Sequence, residues 1–344
     1  MYEYTGVIHC HSDYSDGRAT YSEVILAARQ AGLDYLIMND HDTLQPLHEG
    51  KEGWYGGTFL LIGVEISPAT NHYLSLGVVE VPNRNWPAQE YIDFTKRAGG
   101  VGFLAHPFDT DCPLLGIPRY DWTDWTVSGF TGMEIWNFLS SWSGLCRGIS
   151  SGTRALLRMW HLLPGPSDAA MAKWDELTMT RPVVGIGGVD AHSLRVQLHH
   201  LTLTGLTHRQ MFDTVRTNLF LDVPMSADRE GARRQIIDAL RRGRCCIIDA
   251  GHGFFRGFFF RGEASRRVYQ MGEEAVYSGP VTLTAGLPAA GKIILYRNGQ
   301  VIRKAQGASF SFAAEERGVY RAEGYREADT VLRPWFISNP IYLR

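Results

Sequence analysis

The sequence predicts an α/β protein: a parallel sheet or barrel of alternating strands and helices, followed by a small antiparallel β-sandwich. Three observations carry this. Short apolar strands alternate with helical segments through most of the chain, which is the βαβ pattern. Histidines and acids recur just after the C-terminal ends of those strands, where α/β barrels place their active sites. From about residue 276 short alternating strands take over, with Arg297-Asn298-Gly299-Gln300 as a hairpin turn.

The first strand ends in His9-Cys10-His11 after the apolar Val7-Ile8. Side chains at i and i+2 of a strand point the same way, so His9 and His11 are expected to project together, with Asp16 one short turn later. Residues 20–32 read as a helix, capped by Thr20 and Glu23 and stopped by Gly32. Leu33–Met38 is a second strand, ending in Asn39-Asp40-His41-Asp42-Thr43. A third, Phe59–Glu65, ends in a carboxylate that is costly to bury unless paired or bound to a metal. His72 starts the strand-like segment 72–79. A helix is expected over about 88–98, then a strand Val101–Ala105 ending at His106-Pro107. Phe130–Asn137 is the next strand, with Glu134 near its end. Residues 143–178 read as helical and aromatic-rich, broken at Pro164-Gly165-Pro166, and suited to packing on the barrel or covering its site. Pro182–Val189 is a strand ending in Asp190-Ala191-His192, which repeats the i, i+2 spacing. Helices over about 207–218 and 230–242 then lead to the strand Cys245–Asp249.

At 344 residues the chain has room for one large domain plus a small one, or two medium ones. A net charge of −2 argues against nonspecific binding to nucleic acid or an anionic membrane, though not against a small phosphorylated substrate. The start of the chain lacks the basic and apolar segments of a secretory signal, and no apolar run is long enough to span a membrane. The cysteines, Cys10, Cys112, Cys146, Cys245 and Cys246, are odd in number and form no Cys-x-x-Cys, so a reduced, cytoplasmic protein is expected.

His9, His11, Asp16, His41, Glu65, His72, His106, Asp190 and His192 are the candidate metal ligands. A lone strand-end histidine is usually structural, but imidazoles and carboxylates after successive apolar strands together point to a metal site. Mixed nitrogen and oxygen donors suit Zn, Mn or Fe better than Ca or Mg. Asp40 and Asp190 are candidates to orient a water or protonate a leaving group, and Arg18 and Arg195 to steer an anionic group.

The motifs His9-x-His11, Ser15-Asp16-Gly17, Asn39-Asp40-His41-Asp42-Thr43, Gly63-Val64-Glu65-Ile66-Ser67, Ala105-His106-Pro107 and Val189-Asp190-Ala191-His192 resemble those of the PHP (polymerase and histidinol phosphatase) superfamily. Within it, Glu134-Ile135-Trp136-Asn137, Asn71-His72 and the closing segment 335–342 are similar to the CehA/McbA-type branch. The resemblance implies a distorted (β/α)7 barrel over residues 1–265, a C-terminal β-sandwich over 276–344, and two or three divalent ions. One ion would be held by His9, His11, Glu65 and Asp190. A second would share Glu65 with His72 and His106, and a third would lie on Asp16, His41 and His192.

The expected activity is hydrolysis of a small phosphate ester by hydroxide generated at these ions. An ester, amide or carbamate hydrolase is the alternative. The aromatic residues Trp136, Phe138, Trp142, Trp160 and Trp174 would suit an aromatic substrate, or else serve helix packing. A noncatalytic metal-binding module is the third reading. The β-sandwich is free, on this reading, to dimerise, cover the barrel mouth or bind a partner.

Overall fold

The computed structural model describes residues 1–113, 116–157, 163–198, 201–253, 255–264, 267–328 and 331–344. The chain runs β1 (Tyr2–Val7), α1 (Tyr21–Gln30), β2 (Tyr35–Met38), α2 (Gln45–His48), β3 (Gly53–Tyr55), β4 (Thr58–Ile66), β5 (Tyr73–Leu76), α3 (Ala88–Arg97), β6 (Val101–Leu104) and β7 (Gly132–Asn137). It continues through α4 (Phe138–Ser143), α5 (Ile149–Leu157), α6 (Asp168–Thr180), β8 (Val184–Gly188), β9 (Leu194–Leu198), β10 (Leu201–Gly205), α7 (His208–Met211), β11 (Val215–Leu221), α8 (Arg229–Arg241) and β12 (Cys245–Asp249). The C-terminal part is all strand: β13 (Phe259–Ala264), β14 (Arg267–Gln270), β15 (Glu274–Ala275), β16 (Val281–Arg297), β17 (Gln300–Ala314), β18 (Gly318–Ala328), β19 (Val331–Ser338) and β20 (Ile341–Leu343).

The protein is α/β: the described residues form one large mixed sheet of 18 strands and a separate antiparallel pair, β9 and β10. β1, β2 and β4 pair in parallel, as do β6, β7 and β8. The uniformly parallel sheet expected from the βαβ pattern is interrupted by β5, which runs antiparallel to both β4 and β6. Its short link from β4 explains this, since a parallel return needs a crossover of a dozen or more residues. Beyond β8 and β1 the chains stay hydrogen-bonded: Val189 N–H donates to Ile8 O (3.1 Å), Asp190 N–H to His9 O (2.8 Å) and His11 N–H to Ala191 O (3.0 Å).

The capping box of Thr20 and Glu23 forms at the start of α1 as expected. The helix expected over 207–218 is only four residues long. Thr207 and Gln210 do make a capping box, but Val215–Leu221 is a strand, antiparallel to both β1 and β12. Its β-branched Val215 and Thr217 favour the pleated, fully buried setting that those neighbours create.

The C-terminal strands enclose their own apolar core, built on Leu283, Leu295, Tyr320, Trp335 and Phe336. The two segments read as separate strands, 281–285 and 292–296, are one strand with a register irregularity between Gly286 and Gly291. This region is stitched to the first. β19 pairs with β12, and Asn339 accepts from Gly185 N–H (2.8 Å) while its amide donates to the carbonyls of Gly185 and Cys245 (both 2.9 Å). Among the described residues, no helix is long and apolar enough to cross a membrane.

Candidate metal centre

The strand ends on one side of the sheet converge on Glu65, which closes β4 and is fully buried. Its Oε2 lies 3.2 Å from His9 Nε2, 3.3 Å from His11 Nε2 and 3.0 Å from His41 Nδ1. Its Oε1 lies 2.9 Å from His72 Nδ1 and 3.1 Å from His106 Nε2. His72 precedes a strand where the others follow one, and it reaches the same rim because β5 is antiparallel. Asp190 Oδ1 approaches His11 Nε2 (3.1 Å) and His9 Nε2 (3.4 Å), and Asp16 Oδ1 approaches His192 Nε2 (3.2 Å) and His41 Nε2 (3.5 Å).

Backbone geometry brings these side chains together in a way that strand alternation does not. β1 has ended by His9, which sits at φ 70°, and His106 (26°) and Asp190 (55°) also have positive φ. Asp42, Asn71 and Ser193, beside other cluster residues, share the feature. Left-handed non-glycine residues are strained by about 1–3 kcal/mol each and collect where a site over-determines the backbone. His9 and His11 do converge, with ring centroids 5.1 Å apart, but a left-handed turn rather than the strand pleat brings this about.

Three groups have ligand atoms within 4.8 Å of one another: His11, Asp16, His41 and His192; His9, Glu65 and His106; and His9, His11 and Asp190. The proton inventory fits a cation among them. His72 Nε2 donates to the carbonyl of Pro68 (2.9 Å), and its Nδ1 faces Glu65. His192 Nδ1 likewise donates to the carbonyl of Asp190 (2.9 Å), which leaves Nε2 facing Asp16. His11 is fully buried, and neither of its ring nitrogens has a hydrogen-bond partner among the described residues. Burial and the neighbouring imidazoles of His192 and His41, stacked at 4.1 and 4.3 Å, hold its pKa down to about 3. His11 is therefore neutral at pH 7, yet it faces two carboxylates.

Burial opposes protonation of His9, His41, His106 and His192 too, but there the carboxylates prevail. Glu65 and Asp16 lift His41 to about 11, and Glu65 lifts His106 to about 9. Asp190, Glu134 and Glu65 lift His9 well above the usual range. In return, Glu65 and Asp190 are held well below the carboxylate range against their burial, chiefly by His9.

The sequence marks Glu134 only as a strand-end acid; the structure sets it against His9. Its carboxylate lies 3.2 and 3.3 Å from His9 Nδ1 and accepts from the His106 amide (2.8 Å) and from Asn137 Nδ2 (3.0 Å). It fills the space left by the missing Cβ of Gly188, which would lie 1.8 Å from Glu134 Oε1. An acid in an otherwise apolar strand was the available signal.

Asp40 is also buried, but its oxygens accept from Ser12 N–H (2.7 Å), the hydroxyls of Ser12 and Ser15, and Tyr21 OH. It braces the loop that carries His11 and Asp16. Arg195 lies on β9, and its side chain is outside the described residues.

A cavity of about 1210 Å³ opens over the cluster, lined among others by Asp16, Arg18, His41, His72, Asp190 and His192. Tyr120 stacks on His72 at 4.8 Å and forms part of the wall together with Trp86. Trp136, Phe138, Trp142 and Trp174 belong to the apolar core and pack helices on the sheet, and Trp160 lies outside the described residues.

No family model and no curated protein matches the sequence. Among solved structures, the chain is similar to a two-domain protein from Bacteroides vulgatus containing a predicted PHP-like metal-dependent phosphoesterase. The identity is 15%, 98% of this chain and 95% of that one are covered, and the TM-score is 0.47. A candidate metal-dependent phosphoesterase from Bifidobacterium adolescentis matches at 17% identity over 60% of this chain and 93% of that one, with a TM-score of 0.38. An amidohydrolase from Chromobacterium violaceum with bound sulfate and no metal matches at 15% over 54% and 87%, with a TM-score of 0.32. Of these three structures, one is described as PHP-like, and none of the three descriptions names the CehA/McbA-type branch.

Proposed function

We propose that this chain is a metal-dependent hydrolase of the PHP type, acting as a phosphoesterase on a small phosphate ester. The observation that carries the reading is Glu65, a buried carboxylate met by five imidazoles that do not all take protons. His9, His11, Glu65 and Asp190 would hold one ion, Glu65 with His72 and His106 a second, and Asp16, His41 and His192 a third. The ions, Zn, Mn or Fe on donor chemistry, would lower the pKa of a water and polarise the ester.

The chain's own residues do the rest. Glu134 fixes the Nδ1 proton of His9 and so directs Nε2 into the cluster. Asp190 borders the cavity, and on this reading it would orient a water there. Arg18 is exposed at the cavity rim, its amide bonded to His192 O (2.8 Å), and offers a guanidinium to an anionic group. Arg195 is assigned the same task from its place three residues after His192. Asp40 acts through the loop it braces.

The fold proposal goes with this. β1, β2 and β4 to β8 form the seven strands of a distorted (β/α)7 barrel, supported by the backbone bonds between the ends of β8 and β1. Residues 1–265 form the catalytic domain and 276–344 a β-sandwich domain, which β13 and β14 join. Five free, buried cysteines support a cytoplasmic location. One observation favours the second reading, an ester, amide or carbamate hydrolase: the aromatic wall of Tyr120 against His72.

The test is turnover of p-nitrophenyl phosphate, bis-p-nitrophenyl phosphate and a naphthyl carbamate by protein prepared with Mn or Zn. Phosphate-ester turnover lost in His9→Ala and Asp190→Ala supports the proposal. Carbamate turnover alone moves it to the second reading. No turnover with ions bound leaves a very selective enzyme or the noncatalytic module.

A further inference from the structure

His208 belongs to none of the groups above, yet it touches two of the segments that carry them. It opens α7, just after the Thr207 cap, and is only 2% exposed. Its Nε2 lies 2.9 Å from the carbonyl oxygen of His11, and its Nδ1 lies 2.6 Å from Ser193 Oγ. A carbonyl only accepts, so Nε2 carries the ring proton and donates it, and Nδ1 accepts from the Ser193 hydroxyl. The same Oγ accepts from the His208 amide at 3.2 Å. Ring, hydroxyl and amide thus satisfy one another inside the protein.

The two segments so joined need fixing. Asp190 (φ 55°) and Ser193 (φ 56°) bracket the turn that carries His192, and both are left-handed without being glycine. Backbone bonds hold one side of this turn: Asp190 N–H to His9 O, and Arg18 N–H to His192 O (both 2.8 Å). His208 holds the other side through Ser193. The His11 peptide is pressed from a second direction by Gly17, where a Cβ would come within 2.7 Å of His11 C and O. His208 therefore spans from the His11 backbone to the end of the Asp190–Ser193 turn.

We infer that His208, acting with Ser193, is a positioning residue that sets His11 and the Asp190–His192 turn for ion binding. It is not among the residues that line the cavity or form the ligand groups, and its bond to His11 is to the backbone carbonyl. The inference rests on the metal-centre reading above.

The experiment is equilibrium dialysis against Zn²⁺ with elemental analysis, on wild type, His208→Ala, His208→Gln and Ser193→Ala, with circular dichroism of each. His208→Ala is expected to weaken Zn²⁺ binding about 10- to 100-fold, the effect usual for a group that orients a ligand. It should not abolish binding, because the His9, Glu65 and His106 group is not bonded to His208. Gln, whose amide nitrogen can stand where Nε2 stood, should restore part of the affinity, and Ser193→Ala should give a smaller loss than His208→Ala. If His208→Ala does not fold, His208→Gln and Ser193→Ala decide by the same readout. Folded variants that melt earlier but bind Zn²⁺ as tightly as wild type overturn the inference and leave the metal centre standing. Wild type that binds no Zn²⁺ overturns the metal-centre reading, and this inference with it.

Discussion

Arg321 and Glu65 are both buried charges, 3% and 0% exposed, but their surroundings differ in kind. Arg321, on β18, donates through Nε to Glu323 (2.9 Å) and through its other nitrogens to Asp175 of α6. Its guanidinium also lies over the rings of Tyr296 and Trp174, and Glu323 takes a further bond from Tyr325 OH (2.6 Å). Charge and proton needs are met within the protein, and the result is a brace between helix and strand. Around Glu65 and Asp190 the carboxylates meet nitrogens that do not all carry protons, with neutral His11 at the centre. The brace is closed by its own partners, while the cluster gathers imidazoles and carboxylates that could hold a cation. Burial of charge alone therefore does not mark a site; several imidazoles and carboxylates gathered at a cavity are the better sign.

Three perturbations break or sharpen this contrast. Arg321→Ala is expected to have the largest effect on stability, about 3–5 kcal/mol, because it strands the buried Glu323. Denaturant titration measures it, and ion content should stay at the wild-type value. Loss of ions from that variant would break the comparison. Glu134→Gln should keep the fold but weaken ion binding about 10- to 100-fold, since the His9 ring loses its charged partner. Dialysis with elemental analysis reads this, and unchanged affinity would remove Glu134 from the centre.

The third and smallest is a pH effect. In the ion-free protein, the pKa values of about 11 for His41 and about 9 for His106 lie above the unfolded value of about 6.5. Their contribution to ion-free stability is full below about 6.5 and is lost as pH rises through about 9 and then about 11. Ion binding must displace these protons, so affinity should rise with pH while ion-free stability falls. Calorimetry of Zn²⁺ binding at pH 7 in buffers of different ionisation enthalpy should show proton release. Heat independent of the buffer would contradict the assignment.

Most of the candidate ligand residues were legible because they follow short apolar strands, and such runs are local. The Thr20–Glu23 box and the Asn298-Gly299 turn were legible for the same reason, and both form. What depended on distant partners was not. The left-handed turns at His9 and Asp190 leave no local mark, and Glu134 reaches His9 across 125 positions. The placement of His72 followed from the direction of β5, which a four-residue strand does not announce. The 207–218 segment misled because a real capping box opens it, while its second half is claimed by strands from both ends of the region. Gly286 and Gly291 split β16 in the sequence, but the sheet absorbs them as an irregularity.

The most direct measurement of the central claim is ion stoichiometry in wild type beside Glu65→Gln, loaded with Zn²⁺ or Mn²⁺ and dialysed free of excess. Two or three ions are expected per wild-type chain, in keeping with the three ligand groups among the described residues, with a drop of at least one ion in a folded Glu65→Gln. A wild-type chain that retains no stoichiometric ion, or a Glu65→Gln chain that retains as many as wild type, would contradict it.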